Sequence, residues 1–255
     1  ASTIADGTEN AFTYSWRGPA FNSTTTTPLL ARTLSTTSMS GRYTVTVVDG
    51  NGCTASNTVS ATVNAVPSIN LTGAQVCVGQ TLNLSGTVTL GTSQTISTYS
   101  WAGPPSGFTT TTVGPNLSRT NAQTNMTGNY TITITDGNSC TATASTTAIV
   151  NPLPTLAPTS PPACANEPLQ LNANAAAGTP GYTYSWTGPG TINTSVLANP
   201  TVTGLAAGLR TFTVTVSDIN SCTATAQTLA TIRAVPVVSP SSTAICAGLT
   251  LNLSS

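Results

Sequence analysis

The sequence predicts an all-β protein built as a tandem array of β-sandwich modules of about 85 residues, and three observations predict it. The tetrapeptide TYSW ends at Trp16, Trp101 and Trp186, so equivalent tryptophans recur at an even interval, one third of the chain's length, and a fixed period of this size is the signature of a repeat architecture. Large apolar residues alternate with threonine in short runs, the period of a half-buried strand. No segment carries a helical period of useful length, and clusters of Gly, Pro, Asn and Ser separate the alternating runs.

The elements of one repeat follow in order. Tyr14 and Trp16 lie two apart and so share one face of a strand, where the tryptophan is expected to fill the space between two sheets. Arg17-Gly18-Pro19, Ala102-Gly103-Pro104 and Thr187-Gly188-Pro189 follow the three tryptophans. The runs YTVTVVDGNGCTA at 43–55, YTITITDGNSCTA at 130–142 and FTVTVSDINSCTA at 212–224 each predict a strand, a reversal and a second strand. In the first copy the reversal falls on Asp49-Gly50-Asn51-Gly52, residue types that tolerate positive φ, and the second strand runs over 53–63. A third block, VCVGQTLNLS from Val76, returns as ACANEPLQLN from Ala163 and ICAGLTLNLS from Ile245; Leu82 and Leu84, Leu169 and Leu171, and Leu251 and Leu253 mark its alternating strand. The expected core takes Trp16, Trp101 and Trp186 together with Tyr43, Tyr130 and Phe212.

Val66-Pro67, Leu153-Pro154 and Val235-Pro236 follow each closing strand, and proline there ends pairing and stiffens a junction. Boundaries are therefore placed near 65/66, 151/152 and 235/236. Residues 66–151 and 152–235 read as complete sandwich modules. Residues 1–65 read as a module lacking its opening strands, and 236–255 as opening strands alone, belonging to a further module or donated to the next subunit. The two ends are complementary: restarting at Ala1 after Ser255 recreates the spacing from the Leu-x-Leu strand to the tryptophan within a residue. The chain is accordingly expected to continue past both ends, covalently or by strand complementation.

Charge is scarce. Six arginines, six acidic residues, no lysine and no histidine give a net charge of zero. Scattered arginines do not supply the clustered cations that nucleic acid or anionic lipid requires, and no apolar run approaches the length of a membrane span. Nucleic-acid binding and membrane insertion are not expected, and Ala1 does not open a signal peptide. Fifty-four threonines suit a pleated strand with a wet face, and an uncharged surface of this kind favours association. Six cysteines in modules near the lower size limit of independent folding point to disulfides and to an extracellular or cell-surface location.

Cys-x-Gly before a Leu-x-Leu strand, then TYSW-x-Gly-Pro, then Gly-x-Tyr-Thr-Val-Thr-Val-x-Asp-x-Asn-Gly-Cys resembles the PKD-like and Ig-like tandem repeats of large secreted surface proteins of Bacteroidota, among them adhesins and gliding-type proteins. The resemblance covers nearly the whole chain. It implies a sandwich fold and type IX export, and it implies no catalytic activity. The third copy departs from the pattern at Asn166, where the others have Gly79 and Gly248, and at Ile219 in place of Gly50 and Gly137.

Candidate chemistry is limited by the missing residue types. Without histidine or lysine there is no Ser-His-Asp triad, no lysine nucleophile, no histidine metal ligand and no Lys-Asn isopeptide cross-link. Asp49, Asp136 and Asp218 occupy one place in three copies with no acidic neighbour, while Asp6, Glu9 and Glu167 are isolated, so paired-carboxylate hydrolysis lacks its pair. No enzyme, no cofactor and no metal are expected. The Asp-Gly-Asn loops have oxygen ligands for calcium, but a hairpin turn explains the same residues and is favoured. The tryptophans are read as core, with sugar stacking at an exposed face as the alternative, and Asn22, Asn83 and Asn252 begin glycosylation sequons that a threonine-rich chain produces by composition.

The cysteines allow two pairing sets. The favoured set joins Cys77 to Cys140 and Cys164 to Cys222 within modules, with Cys53 and Cys246 pairing across adjacent copies. The competing set joins Cys53 to Cys77, Cys140 to Cys164 and Cys222 to Cys246 across the proline junctions. The expected role is a structural repeat segment of an extracellular fibre, filament or adhesin stalk whose partners are copies of itself head to tail or neighbouring modules. The alternatives are a module binding surface glycans and a spacer of an exported enzyme.

Overall fold

A computed structural model describes residues 12–242 and 244–254; Asp6 and Glu9 lie outside the described residues. The chain divides into two compact units. One comprises Ala1–Ala74, Asn83–Arg119 and Asn125–Ala148, and the other comprises Gln75–Leu82, Thr120–Thr124 and Ile149–Ser255.

In the first unit, Phe21–Thr25, Thr13–Gly18, Gly41–Val48 and Thr54–Ala61 form an antiparallel sheet in that order. The alternation of Gly41–Val48 turns Tyr43 and Val45 inward and leaves the threonines between them on the outer face, as a period of two requires. Register is the same in all three copies: Trp16 stands opposite Val45, Trp101 opposite Ile132 and Trp186 opposite Val214. The second copy places Thr141–Asn151 beside Gly128–Asp136, followed by Ile96–Gly103 and Phe108–Thr112. A separate sheet orders Leu117–Arg119, Leu82–Thr89 and Ser68–Thr72. Leu82 and Leu84 are buried from that sheet, and Trp101, Tyr130, Ile132 and Ile134 are buried from the larger one.

The second unit repeats this plan in the third copy. Thr183–Thr187 pairs with Gly208–Ser217, which pairs with Thr223–Arg233, and Ala163–Cys164 lies parallel to the end of that last strand. Leu169, Leu171, Trp186, Val202, Phe212, Val214 and Ile232 form one buried cluster.

The Trp-x-Gly-Pro signature has a packing cause. A Cβ on Gly103 would stand 2.5 Å from the Tyr130 ring, and Gly18 and Gly188 lie as close to Tyr43 and Phe212, so only glycine lets the aromatic residue of the neighbouring strand lie down on it. Tyr130 Oη donates to the carbonyl of Met126 (3.0 Å) and accepts from Arg119 Nη1 (2.7 Å), while the same guanidinium lies 3.9 Å over the Phe108 ring. Tyr43 donates to Met39 and accepts from Arg32, both at 2.8 Å, with Arg32 over Phe21. A tyrosine hydroxyl returning to backbone just upstream is a recurrent lock of immunoglobulin-type sandwiches. The third copy has Phe212 instead and no such bond.

Candidate functional site: the cysteine turns and an open groove

Two short loops position the cysteines, and each is built the same way wherever it recurs. In the Asp-x-Asn-x-Cys turn, one carboxylate oxygen accepts two backbone N–H groups. Asp49 Oδ1 takes Asn51 N (3.0 Å) and Cys53 N (2.8 Å), Asp136 Oδ1 takes Asn138 N (2.9 Å) and Cys140 N (2.8 Å), and Asp218 Oδ1 takes Asn220 N (3.0 Å) and Cys222 N (2.9 Å). The positive φ falls on Gly52, Ser139 and Ser221, and neither Gly50 nor Gly137 has one. Ile219 therefore sits at their position without strain. These bonds give the repeated aspartates a turn-forming role.

The second loop follows the other cysteine. Gln80, Glu167 and Leu249 donate their N–H groups to the carbonyls of Cys77, Cys164 and Cys246, at 3.1, 3.1 and 3.3 Å. Gly79, Asn166 and Gly248 supply the positive φ inside that turn, and asparagine is the side chain that most readily replaces glycine there. The loop of the third copy thus keeps its shape at Asn166.

Asp218 is buried, which opposes ionisation, but the N–H groups of Thr179, Cys222 and Asn220 outweigh this and hold its carboxyl below the usual value. A folded value below the unfolded one means that ionised Asp218 stabilises the fold fully above the ordinary carboxylate range, about pH 4, and that this contribution disappears as pH falls through the lower folded value. Asp218→Asn should accordingly be less stable than the parent at pH 7 in urea unfolding, and the gap should narrow at pH 3. A gap that stays constant would contradict this origin.

The disulfide pairing differs from both expected sets. Cys77 is bonded to Cys222, at a sequence separation of 145 and with Cα atoms 5.6 Å apart, and Gln75 Nε2 donates to Asn220 Oδ1 (3.1 Å) beside the bridge. Cys53, Cys140, Cys164 and Cys246 are free thiols, so the expected bridges Cys77 to Cys140 and Cys164 to Cys222 are corrected, as is the set across the junctions. Strand direction supplies the reason. Cys164 lies beside Arg233 at the end of Thr223–Arg233, whereas Cys222 immediately precedes the start of that strand. Eleven residues at about 3.3 Å each separate the two by roughly 35 Å, against the limit of about 7 Å for a bridge. The second copy repeats the arrangement, since Val78 N donates to Asn151 O at the end of Thr141–Asn151 and Cys140 precedes its start. One cysteine of each copy therefore sits at the entry end of the module and the other at its exit end. The bridge joins the exit end of the second copy to the entry end of the third.

The aromatic residues separate by copy. Trp101, Trp186, Tyr130, Phe212 and Tyr43 are buried, and Trp186 Nε1 donates to Leu197 O (3.1 Å). Trp16 is only half-buried. It lines an open, largely apolar groove of about 320 Å³ with Leu30, Met39, Tyr43, Val59 and Val63. Sequence reading missed the groove and also the two arginines that hold Tyr43 and Tyr130. The latter had a signal: an arginine stands 11 residues before each tyrosine and before no phenylalanine of the repeat.

Repeated sheets in register, a tryptophan opposite the centre of the hairpin and the tyrosine lock define an all-β tandem array of Ig-like sandwich modules. No protein-family model matches the chain, and no curated protein matches it by sequence. Among solved structures it is similar to the three N-terminal domains of the highly immunogenic outer capsid protein Hoc of bacteriophage RB49, at 16% identity over 92% of each chain and a TM-score of 0.49. An I-band fragment of titin is 15% identical over 88% of each chain, with a TM-score of 0.44. Immunoglobulin domains 1–4 of Sidekick-1 are 18% identical over 88% of this chain and 68% of theirs, with a TM-score of 0.39. Among the described residues no helix is long and apolar enough to cross a membrane.

Proposed function

We propose that the chain is a structural repeat segment of an extracellular fibre, filament or adhesin stalk, in which residues 236–255 of one copy supply the opening strands of the module that residues 12–63 of the next complete. The observation that carries this reading is the correspondence between the groove and the third copy's core. Trp16, Tyr43, Ala61 and Val63 hold the positions of Trp186, Phe212, Ala230 and Ile232, and in the third copy those four residues pack with Leu169 and Leu171, both 0% exposed. The equivalent leucines at the other end, Leu251 and Leu253, are 54% and 70% exposed. An apolar groove left open among the described residues and an exposed segment of matching Leu-x-Leu pattern favour completion by strand addition. A head-to-tail contact of this kind does not close on itself and propagates.

The same seat is filled by the preceding repeat when copies succeed one another in one polypeptide. A disulfide, a threonine-rich surface and few charges support an exported, surface-exposed setting, reached by type IX export if the resemblance to Bacteroidota surface repeats extends to secretion. Sedimentation velocity of the purified chain should show species heavier than a single chain, whose size grows with concentration. Leu251→Asp combined with Leu253→Asp should return the chain to monomer without loss of strand content. A parent chain that stays monomeric at all concentrations would remove the complementation reading.

A further inference from the structure

We propose that the bridge Cys77–Cys222 is one instance of a repeating staple, and that between successive copies of this chain Cys164 pairs with Cys53 of the next copy and Cys246 with its Cys140. This rests on the head-to-tail reading above and specifies the chemistry of that junction. The formed bridge joins the exit-end cysteine of one module to the entry-end cysteine of the next. The defining hydrogen bonds of both cysteine turns recur at the four free positions. Cys53 and Cys140 hang from the same Asp-x-Asn-x-Cys turn as Cys222, and Cys164 and Cys246 open the same turn as Cys77.

Applying the rule of the formed bridge to a second copy following Ser255 assigns all four thiols and leaves none over. Cys164 is the exit cysteine of the third module, and the next entry cysteine is Cys53 of the following copy. Cys246 is the exit cysteine of the shared module, and the next entry cysteine is Cys140. Counted head to tail, both separations fall within a few residues of the 145 that separate Cys77 from Cys222. The pairing of Cys246 with Cys53 across copies, expected from the sequence, would instead join the two ends of one module, the arrangement that strand length forbids in the third copy.

Three of the four thiols are exposed and Cys140 is half-buried, so an oxidant reaches them. Oxidised glutathione suffices. One cysteine thiolate attacks its disulfide and releases a first glutathione thiol; the partner thiolate then attacks the protein sulfur of the mixed disulfide and releases a second. Two cysteines lose two electrons in all, and their two protons end on the two glutathiones.

The test joins two complete copies end to end in one polypeptide, so that it does not depend on non-covalent assembly. After oxidation with glutathione and unfolding, thiol titration should find four free thiols in place of the eight that two unlinked copies contain. In a second version the first copy carries Cys53→Ser and Cys140→Ser and the second carries Cys164→Ser and Cys246→Ser. Peptic mapping without reduction should then recover Cys164–Cys53 and Cys246–Cys140, with Cys77–Cys222 as the internal sign that both copies have folded. Pepsin is needed because no arginine lies between Cys53 and Cys77. Recovery of Cys246–Cys53 or Cys164–Cys140, or eight thiols in the unsubstituted fusion, would overturn the proposal. A fusion that pairs as stated while the single chain stays monomeric leaves the staple standing and removes only the strand-complementation reading.

Discussion

Trp101→Ala should destabilise its module by about 3–5 kcal/mol, the range for deleting a large aromatic from a closed core. Trp101 is fully buried on an interior strand opposite Ile132, in a close-packed interior where its removal leaves a cavity. Trp16→Ala, at the same place in the repeat, should cost roughly half of that or less, because its ring already faces the open groove and loses less buried area on truncation. Urea unfolding followed by the fluorescence of the remaining tryptophans measures both. Equal losses at the two positions would show that the groove is not an unfilled version of the core around Trp101.

Replacing Cys77 and Cys222 together by alanine should have the second large effect, lowering the stability of the unit containing both by about 3–5 kcal/mol. The bridge spans a sequence separation of 145, and loop-closure entropy in the unfolded chain scales with the logarithm of that length. Both cysteines are buried, so some cavity cost adds to the entropic one. Thermal unfolding of the double variant beside the parent, with and without reductant, checks it. The parent should fall to the level of the variant on reduction. An unchanged midpoint in both comparisons would mean that the junction is held by packing alone.

Much of the fold was legible because the repeat states its own register. Tyr-Thr-Val-Thr-Val fixes which side chains point inward, and the even spacing of the copies carries that assignment from one to the next. Turn chemistry was legible too: aspartate and asparagine at 49 and 51 predict a reversal, and the carboxylate bonds of Asp49 are what such a turn requires. The departures at Asn166 and Ile219 proved harmless for reasons the sequence contains only in part. Asparagine tolerates positive φ, but the position in the turn that needs it is visible only in the backbone.

The cysteine connectivity was not legible. Pattern and spacing say that a cysteine precedes the Leu-x-Leu strand, and they do not say which end of the closing strand it meets. The parallel pairing of Ala163–Cys164 with the far end of Thr223–Arg233 decides that, and it is a contact between the opening and closing segments of a module, far apart in sequence. Once the direction is known, a bridge within one module is excluded by length, and a bridge to the next module becomes the short path. The groove at Trp16 escaped the sequence for a similar reason. Leu30, Met39 and Val63 carry no pattern that marks them as lining a groove, and only comparison with the filled core around Leu169 and Leu171 distinguishes the first copy among the described residues.

The proposed head-to-tail continuation of copies predicts a visible polymer. Negative-stain electron microscopy of the purified, oxidised chain at high concentration tests it most directly. Unbranched filaments of one module's width, abolished by Leu251→Asp combined with Leu253→Asp, are the predicted result; isolated particles of single-chain size at every concentration would contradict it.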